Sequence, residues 1–444
     1  MPTDAVRNCG GHLRRRTLLG AGVGVAGGGL ASISRVLASA NPDGPPTSVI
    51  LLWMDGGPSQ LETFDPHPGT RIGGDVSAID TSLPGVSIAD TLPGLASRMH
   101  HGSLIRSVVG HEGNHQRAAY HIRTGFRPDP TIRHPSLGGV IVHADSVTSD
   151  LPRHVSLVPG VWPGVGGYLG GRYDAMRVDA PGEPLHDVEP GVAPERFERR
   201  MRLLREVVDP AFAGGAAGFA DGASGFAGGA GGGHPPPRGG TFDAATRLMS
   251  AEQRDAFDIA DESRSTRDAF GDHDFGRGVL TASRLIDVGV RCVEVTLSGW
   301  DSHAANDTLQ RSRCAILDPA ISALLDRLAD RDRLDRTLVV VAGEFGRTPD
   351  HNPAAGRDHW VHGFSVFLAG GGIRPGRVVG ATSPRPDAES DPTRAVERPV
   401  SIDDLHATVL RALDLDPTLE LDTPVGRPMK RSEGTPIAEL VADA

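Results

Sequence analysis

The sequence predicts an α/β fold, an open and mostly parallel central sheet with helices on both faces. Two observations predict it. Apolar runs of strand length alternate along the chain with helical patterns. Most of those runs end on a carboxylate, a histidine or a glycine cluster, and in open parallel sheets function collects beyond the C-terminal strand ends.

The first run, Ser48 to Met54, is continuously apolar and ends in Asp55-Gly56-Gly57, which suits a buried parallel strand. Ser103 to Val109 repeats the pattern and ends at Gly110-His111-Glu112-Gly113-Asn114-His115. His154 to Val158 is a shorter candidate. Cys292 to Leu297 ends at Ser298-Gly299-Trp300-Asp301-Ser302-His303, and Thr337 to Ala342 ends at Gly343-Glu344-Phe345-Gly346-Arg347. Ser365 to Ala369 closes the series. Between them, Ala315 to Leu328 places Ile316, Ala320, Leu324 and Leu328 at helical spacing, and Asp404 to Leu413 is a further helix. Glu195 to Val207 and Thr241 to Ala269 read as polar helices.

The chain has 444 residues, 38% hydrophobic and 23% charged, which fits a soluble globular protein with a large α/β domain. Aromatics are 5% and the formal charge is −11, so neither a base-stacking surface nor a basic duplex-binding face is expected, and no nucleic-acid partner. Arg14-Arg15-Arg16-Thr17-Leu18-Leu19-Gly20, the apolar stretch to Leu30 and Ala38-Ser39-Ala40 read as a twin-arginine export signal over residues 1–40. The apolar stretch is short and broken by glycine, so no stable membrane insertion is expected, and the destination is periplasmic or extracellular. An uncleaved N-terminal anchor is the alternative. The mature domain, 41–444, carries an insert at 211–240 in which twelve of thirty residues are Gly, too poor in apolar surface to order itself. Cys292 and Cys314 remain after cleavage, enough for one disulfide or two buried thiols but not for a disulfide framework.

Carboxylates and imidazoles arriving from several strand ends are the donor set of a divalent metal site for Zn, Mn, Mg or Ca, with one or two ions. The candidate ligands are Asp55, Asp301, His303, Glu344, Asp358, His359 and His362. Each has an ordinary structural alternative. Asp55 can cap a turn, Glu344 can pair with Arg347 or Arg357, and one of His359 and His362 can merely orient the other. His115 is a candidate catalytic group, and Arg347, with its planar fork, a candidate clamp for an anionic group. Asn114, Arg117 and Arg357 are candidates for substrate contacts. Ser59 is a weak substitute nucleophile, since Pro58 before it suits a plain turn.

The order of these motifs resembles the alkaline phosphatase-like superfamily, which includes sulfatases, phosphatases and phosphomutases. Val49 to Gly56 resembles its first metal-bearing strand, and His115-Gln116-Arg117-Ala118-Ala119-Tyr120-His121-Ile122-Arg123-Thr124-Gly125 resembles the sulfatase nucleophile helix. Leu338 to Gly346 resembles the strand bearing the second metal carboxylate, with Glu344 in place of Asp. The chain is more closely similar to one bacterial family within it, the twin-arginine-exported domain-of-unknown-function family 1501, often labelled sulfatase-like. The stretches that carry this are Met54 to Gln60, Thr63-Phe64-Asp65-Pro66, His115 to Pro128, Trp300-Asp301-Ser302-His303, Gly343 to Pro349 and Gly356-Arg357-Asp358-His359-Trp360, spread from about Thr47 to Leu415.

The resemblance implies an alkaline phosphatase-like fold, a divalent cofactor and hydrolysis of a phosphate or sulfate ester, the partner being an anionic, sulfated or phosphorylated substrate. Two departures bear on activity. The superfamily's Ser, Thr or modified Cys nucleophile falls on His115, and Phe345 stands where the phosphatases have a metal-binding His. His115 is then a phosphoryl acceptor, a ligand or a general acid/base. A non-catalytic exported protein that binds a partner or polysaccharide is the rival reading.

Overall fold

The computed structural model describes residues 48–145, 151–185, 191–203, 252–385 and 395–441. The export signal of 1–40 and the glycine-rich insert of 211–240 lie outside those residues. Ser48–Asp55 (β1) runs through the middle of the sheet, since its alternate side chains are apolar in both directions. The other strands are Gly102–Val109 (β2), His154–Leu157 (β3), Met176–Val178 (β4), Cys292–Ser298 (β5), Thr337–Ala342 (β6), Phe364–Gly370 (β7), Val378–Val379 (β8) and Val400–Ser401 (β9). Their order is β8-β2-β7-β6-β1-β5-β3-β4, with β9 also on β2. All pairings are parallel except those of β7, which runs antiparallel to β2 and β6. The α/β class read from the sequence is the observed one.

Both sheet faces are covered, which is why the strands read as continuous rather than alternating apolar runs. Ile50, Leu52 and Met54 pack with Phe275, Val279 and Leu285 of Asp274–Asp287 (α3) and with Leu317, Leu324 and Leu328 of Asn306–Asp330 (α4). Val49 and Trp53 face the other way, toward His115–Thr124 (α1), Leu137–His143 (α2) and Ile402–Ala412 (α5). Each buried Leu, Ile or Val contributes about 1.5–3 kcal/mol before entropy is charged against it. Helix α4 begins nine residues before the apolar pattern does, because its first turns bury the polar Asn306 and Gln310. Cys292 and Cys314 are both free and buried.

Candidate metal centre

The parallel strands β1, β5 and β6 deliver their C-terminal loops to one place. Gly56 lets them close together. It has φ +117°, and a Cβ there would stand 2.6 Å from the Asp301 nitrogen. Trp300 N donates to the Asp55 carbonyl at 3.2 Å, and Gly56 N donates to Glu344 Oε1 at 3.0 Å. The fourth contribution comes from a short antiparallel pair, Gly346–Arg347 with His359–Trp360, which sets His359 opposite Arg347. The fifth is α1, whose N-cap Asn114 accepts from Gln116 N and Arg117 N and so fixes His115 as the first helical residue.

Asp301 is the meeting point. His303 Nε2 lies 3.2 Å and His359 Nε2 3.6 Å from Asp301 Oδ1, and the two Nε2 atoms are 3.0 Å apart. His115 Nε2 approaches Asp301 Oδ2 at 3.5 Å. The opposite nitrogen of each ring is already engaged. His115 Nδ1 meets Glu344 Oε1 at 2.7 Å, His303 Nδ1 meets Asp358 Oδ1 at 2.7 Å, and His359 Nδ1 meets the Gly113 carbonyl at 2.7 Å. These partners are acceptors, so each Nδ1 carries the proton, and in the neutral rings each Nε2 presents a lone pair to the common centre. Two lone pairs 3.0 Å apart are joined either by a proton or by a metal ion. Donors bound about 2.0–2.2 Å from one ion stand about 3–3.5 Å apart, which is the size of the Asp301–His303–His359 triangle. The residues therefore fit a divalent ion.

The surroundings tune the charges. Burial pushes the Glu344 carboxyl up, and its hydrogen bond to His115 raises that imidazole against the opposing pull of burial. Burial lowers His359, favouring the neutral form that a ligand needs. Burial pulls Asp301 upward, but the hydrogen bond and charge of Arg347 with the neighbouring imidazoles outweigh it and keep the carboxyl ionised. Hydrogen bonds from His303 and Asn352 lower Asp358. The Asp301 side chain is 47% exposed, so the centre opens to solvent.

The other sequence candidates add no donor to that triangle. Asp55 accepts from Trp53 Nε1 at 3.2 Å and Ser298 Oγ at 3.4 Å, the turn-holding role rather than the imidazole cluster. Glu344 Oε1 serves His115 and Gly56 N, while Oε2 is buried without a partner. His362 packs its ring across Trp360 at 6.2 Å. Arg347 is fully buried. It donates to the Gly57 carbonyl at 2.8 Å, the Arg357 carbonyl at 3.1 Å, Asp301 Oδ1 at 2.7 Å and the Gly56 carbonyl. Arg357 is equally buried and spends its fork on Glu62, Ile72, Thr348 and Pro349. Neither guanidinium faces an incoming anion. Arg117 is paired with Glu112 at 2.6 Å, and the Asn114 side-chain Oδ1 is occupied as a cap. The Ser59 side chain is inaccessible.

Two contributors had no sequence signal. The Gly113 carbonyl fixes His359 through backbone alone. Asn352 reaches both the His303 carbonyl at 3.0 Å and Asp358 Oδ1 at 3.1 Å from an irregular loop. Phe345, noted in the sequence as standing where the phosphatases have a metal-binding His, lies with its ring centroid 4.9 Å from His115 and 4.5 Å from His359 and walls the cluster.

The family model described as "Protein of unknown function (DUF1501)" matches residues 46–441, and the chain belongs to that family. No curated protein matches it. Among solved structures, the chain is similar to the lipoteichoic acid synthase LtaP from Listeria monocytogenes, at 11% identity over 89% of this chain and 76% of that one, with a TM-score of 0.36. It is also similar to the PsFucS1 sulfatase from Pseudoalteromonas sp., at 12% identity over 87% of this chain and 71% of that one, with a TM-score of 0.34. A third similar structure is the PH0037 protein from Pyrococcus horikoshii, at 10% identity over 84% and 98% of the two chains, with a TM-score of 0.34. Among the described residues no helix is long and apolar enough to cross a membrane.

Proposed function

We propose that this chain is an exported, metal-dependent hydrolase of phosphate or sulfate esters that uses water, activated by a histidine, as its nucleophile. The observation that carries the reading is the convergence of Asp301 Oδ1, His303 Nε2 and His359 Nε2 within 3.6 Å of one another, each imidazole held by an acceptor on its far nitrogen. These three are the proposed ligands. A divalent ion held there supplies Lewis acidity toward an ester oxygen.

The chain's own groups do the rest. Glu344 holds the His115 Nδ1 proton, which leaves Nε2, without a hydrogen-bond partner of its own, facing the Asp301 carboxylate. His115 takes a proton from the attacking water and returns it to the departing alcohol, the role of an imidazole oriented by a buried carboxylate. Arg347 fixes Asp301 and the Gly56-Gly57 turn together, so the ligand and the β1 loop keep one geometry. Asp358, steadied by Asn352, sets the His303 ring.

One observation favours the rival reading, a non-catalytic binding protein. Arg347 and Arg357 are both enclosed and committed, so neither clamps an anionic ester. The test is metal content beside turnover of aryl phosphate and aryl sulfate esters. His303→Ala with His359→Ala removes the strand-end ion, and His115→Ala retains it while turnover falls by about 10²–10⁴-fold. Wild-type protein that holds the ion and turns over neither ester class supports the binding reading. Full turnover in His115→Ala overturns the assigned base.

A further inference from the structure

A second set of ligating side chains is enclosed on the sheet face covered by α1 and α2, away from the strand-end loops. His154 opens β3, and its backbone register partner is Cys292, which opens β5. Glu294 lies two residues beyond Cys292 and so points to the same face. One ligating atom from each of the three lies within 4.8 Å of the others. Each residue is 2% exposed.

The protons at this cluster can be counted. His154 Nδ1 lies 3.1 Å from the Tyr173 carbonyl, a pure acceptor, so Nδ1 carries hydrogen and donates. In the neutral ring Nε2 then turns a lone pair toward Glu294 Oε1, 3.1 Å away. Glu294 accepts on its other oxygen from the Arg123 guanidinium and from Gly164 N at 2.9 Å, which keeps it a carboxylate. Two acceptors therefore face each other, and either a proton or a metal ion joins them.

The neighbourhood is shaped for the larger cation. Cys292 Sγ adds a third, soft donor beside the same two atoms. Glycines wall the space. A Cβ on Gly138 would stand 2.4 Å from His154 Nε2 and 2.9 Å from Cys292 Sγ, and one on Gly164 would stand 2.5 Å from Glu294 Oε1. Any other residue at either position would intrude on the donors. The outer hydrogen bonds, Nδ1–H to the Tyr173 carbonyl and Gly164 N–H to Glu294, are of the kind that orient metal-binding groups.

We propose that His154, Cys292 and Glu294 form a buried structural metal site of the zinc class that ties β3 to β5. A thiolate, an imidazole and a carboxylate select zinc over magnesium or calcium, which take oxygen donors. The exchange balances. A divalent ion enters while the Cys292 S–H proton and the proton on His154 Nε2 leave, so the net charge beside Arg123 does not change. The site is closed, so the ion enters during folding rather than afterwards.

The test uses the mature protein carrying His303→Ala and His359→Ala, which empties the proposed strand-end site. That site has no cysteine, so a thiolate signature reports only the buried cluster. The proposal expects one zinc per chain to survive this double substitution. Refolding in cobalt should give a thiolate-to-cobalt charge-transfer band in the near ultraviolet, absent from the further variant Cys292→Ser. Should Cys292→Ser not fold, the unaltered protein is treated with a mercurial thiol reagent, and zinc release is followed with a chromophoric chelator. Release of zinc in step with loss of the Cys292 thiol supports the site. A folded strand-end variant with no metal and no charge-transfer band overturns it and leaves His154 as a protonated partner of Glu294.

Discussion

Arg357→Met should unfold the protein more readily without acting on substrate directly. The guanidinium is fully enclosed and donates to Glu62 Oε1 through Nε at 3.2 Å and NH2 at 3.0 Å, to the Ile72 carbonyl at 2.9 Å, to the Thr348 carbonyl at 3.1 Å and to the Pro349 carbonyl. Methionine fills much of the volume but supplies no donor. It strands the Glu62 carboxylate, also fully buried, without its counter-charge. Breaking a buried pair on one side costs about 3–5 kcal/mol. With an unfolding entropy of about 2.1 cal/mol/K per residue, that corresponds to a Tm fall of about 4–6 °C for a domain of this size. Glu62→Leu alone should cost a similar amount, and the double variant Glu62→Leu, Arg357→Met should recover most of the loss. The assay is urea unfolding followed by circular dichroism at low and high salt, as a double-mutant cycle. An additive cycle with single losses below about 1 kcal/mol would refute the buried-pair account. A rise in KM with unchanged stability would instead restore Arg357 to the role of anion clamp.

Two further expectations can be checked together. His406 is fully buried, its Nε2 donates to the Ile122 carbonyl at 2.7 Å, and burial depresses its pKa to about 4. Between pH 6.5 and about 4 the unfolded chain binds a proton there and the folded chain does not, so stability is fully present above pH 6.5 and falls as the pH drops to about 4. The integrated loss is about 3 kcal/mol, and His406→Asn should flatten that part of the stability–pH curve. Gly56→Ala places a Cβ 2.6 Å from the Asp301 nitrogen at φ +117°, so it should weaken metal retention at the strand-end centre and cost about 1–3 kcal/mol, read by metal analysis and thermal melting.

The strands were legible because burial on both faces leaves a continuous apolar signature, and β1, β5 and β6 began and ended within a residue of their apolar runs. The direction of β7 was not legible, since an apolar run such as Ser365 to Ala369 reads the same for a parallel or an antiparallel neighbour. At the site, the loop order showed which residues reach the strand ends but not which atom of each turns inward. Glu344 and Asp358 were read as ligands, yet both grip an imidazole from behind. The arginines were misleading for a physical reason. Arg347 and Arg357 sit in polar, glycine-rich motifs that look like surface loops, whereas the short strand pair around them folds inward and uses their donors to close backbone carbonyls.

The proposed hydrolysis leaves two chemistries open at one atom of His115. His115 Nε2 is buried without a hydrogen-bond partner, and its far nitrogen is held by Glu344 at 2.7 Å. A lone pair so placed can take a proton from water or attack phosphorus itself. Direct attack would give a phosphohistidine, which is stable to base and labile to acid. Its phosphoryl group would pass to an added alcohol in competition with water. The burial of Nε2 favours water, because a bulky ester's phosphorus cannot reach it, whereas a water lodged beside Asp301 Oδ2, 3.5 Å away on the exposed side of the cluster, can give it a proton. Turnover of an aryl phosphate in the presence of a high alcohol concentration should therefore yield inorganic phosphate alone, with no burst of phenol in the first turnover. A burst matched by acid-labile label on the protein, absent from His115→Asn, would refute the water route and make His115 the nucleophile.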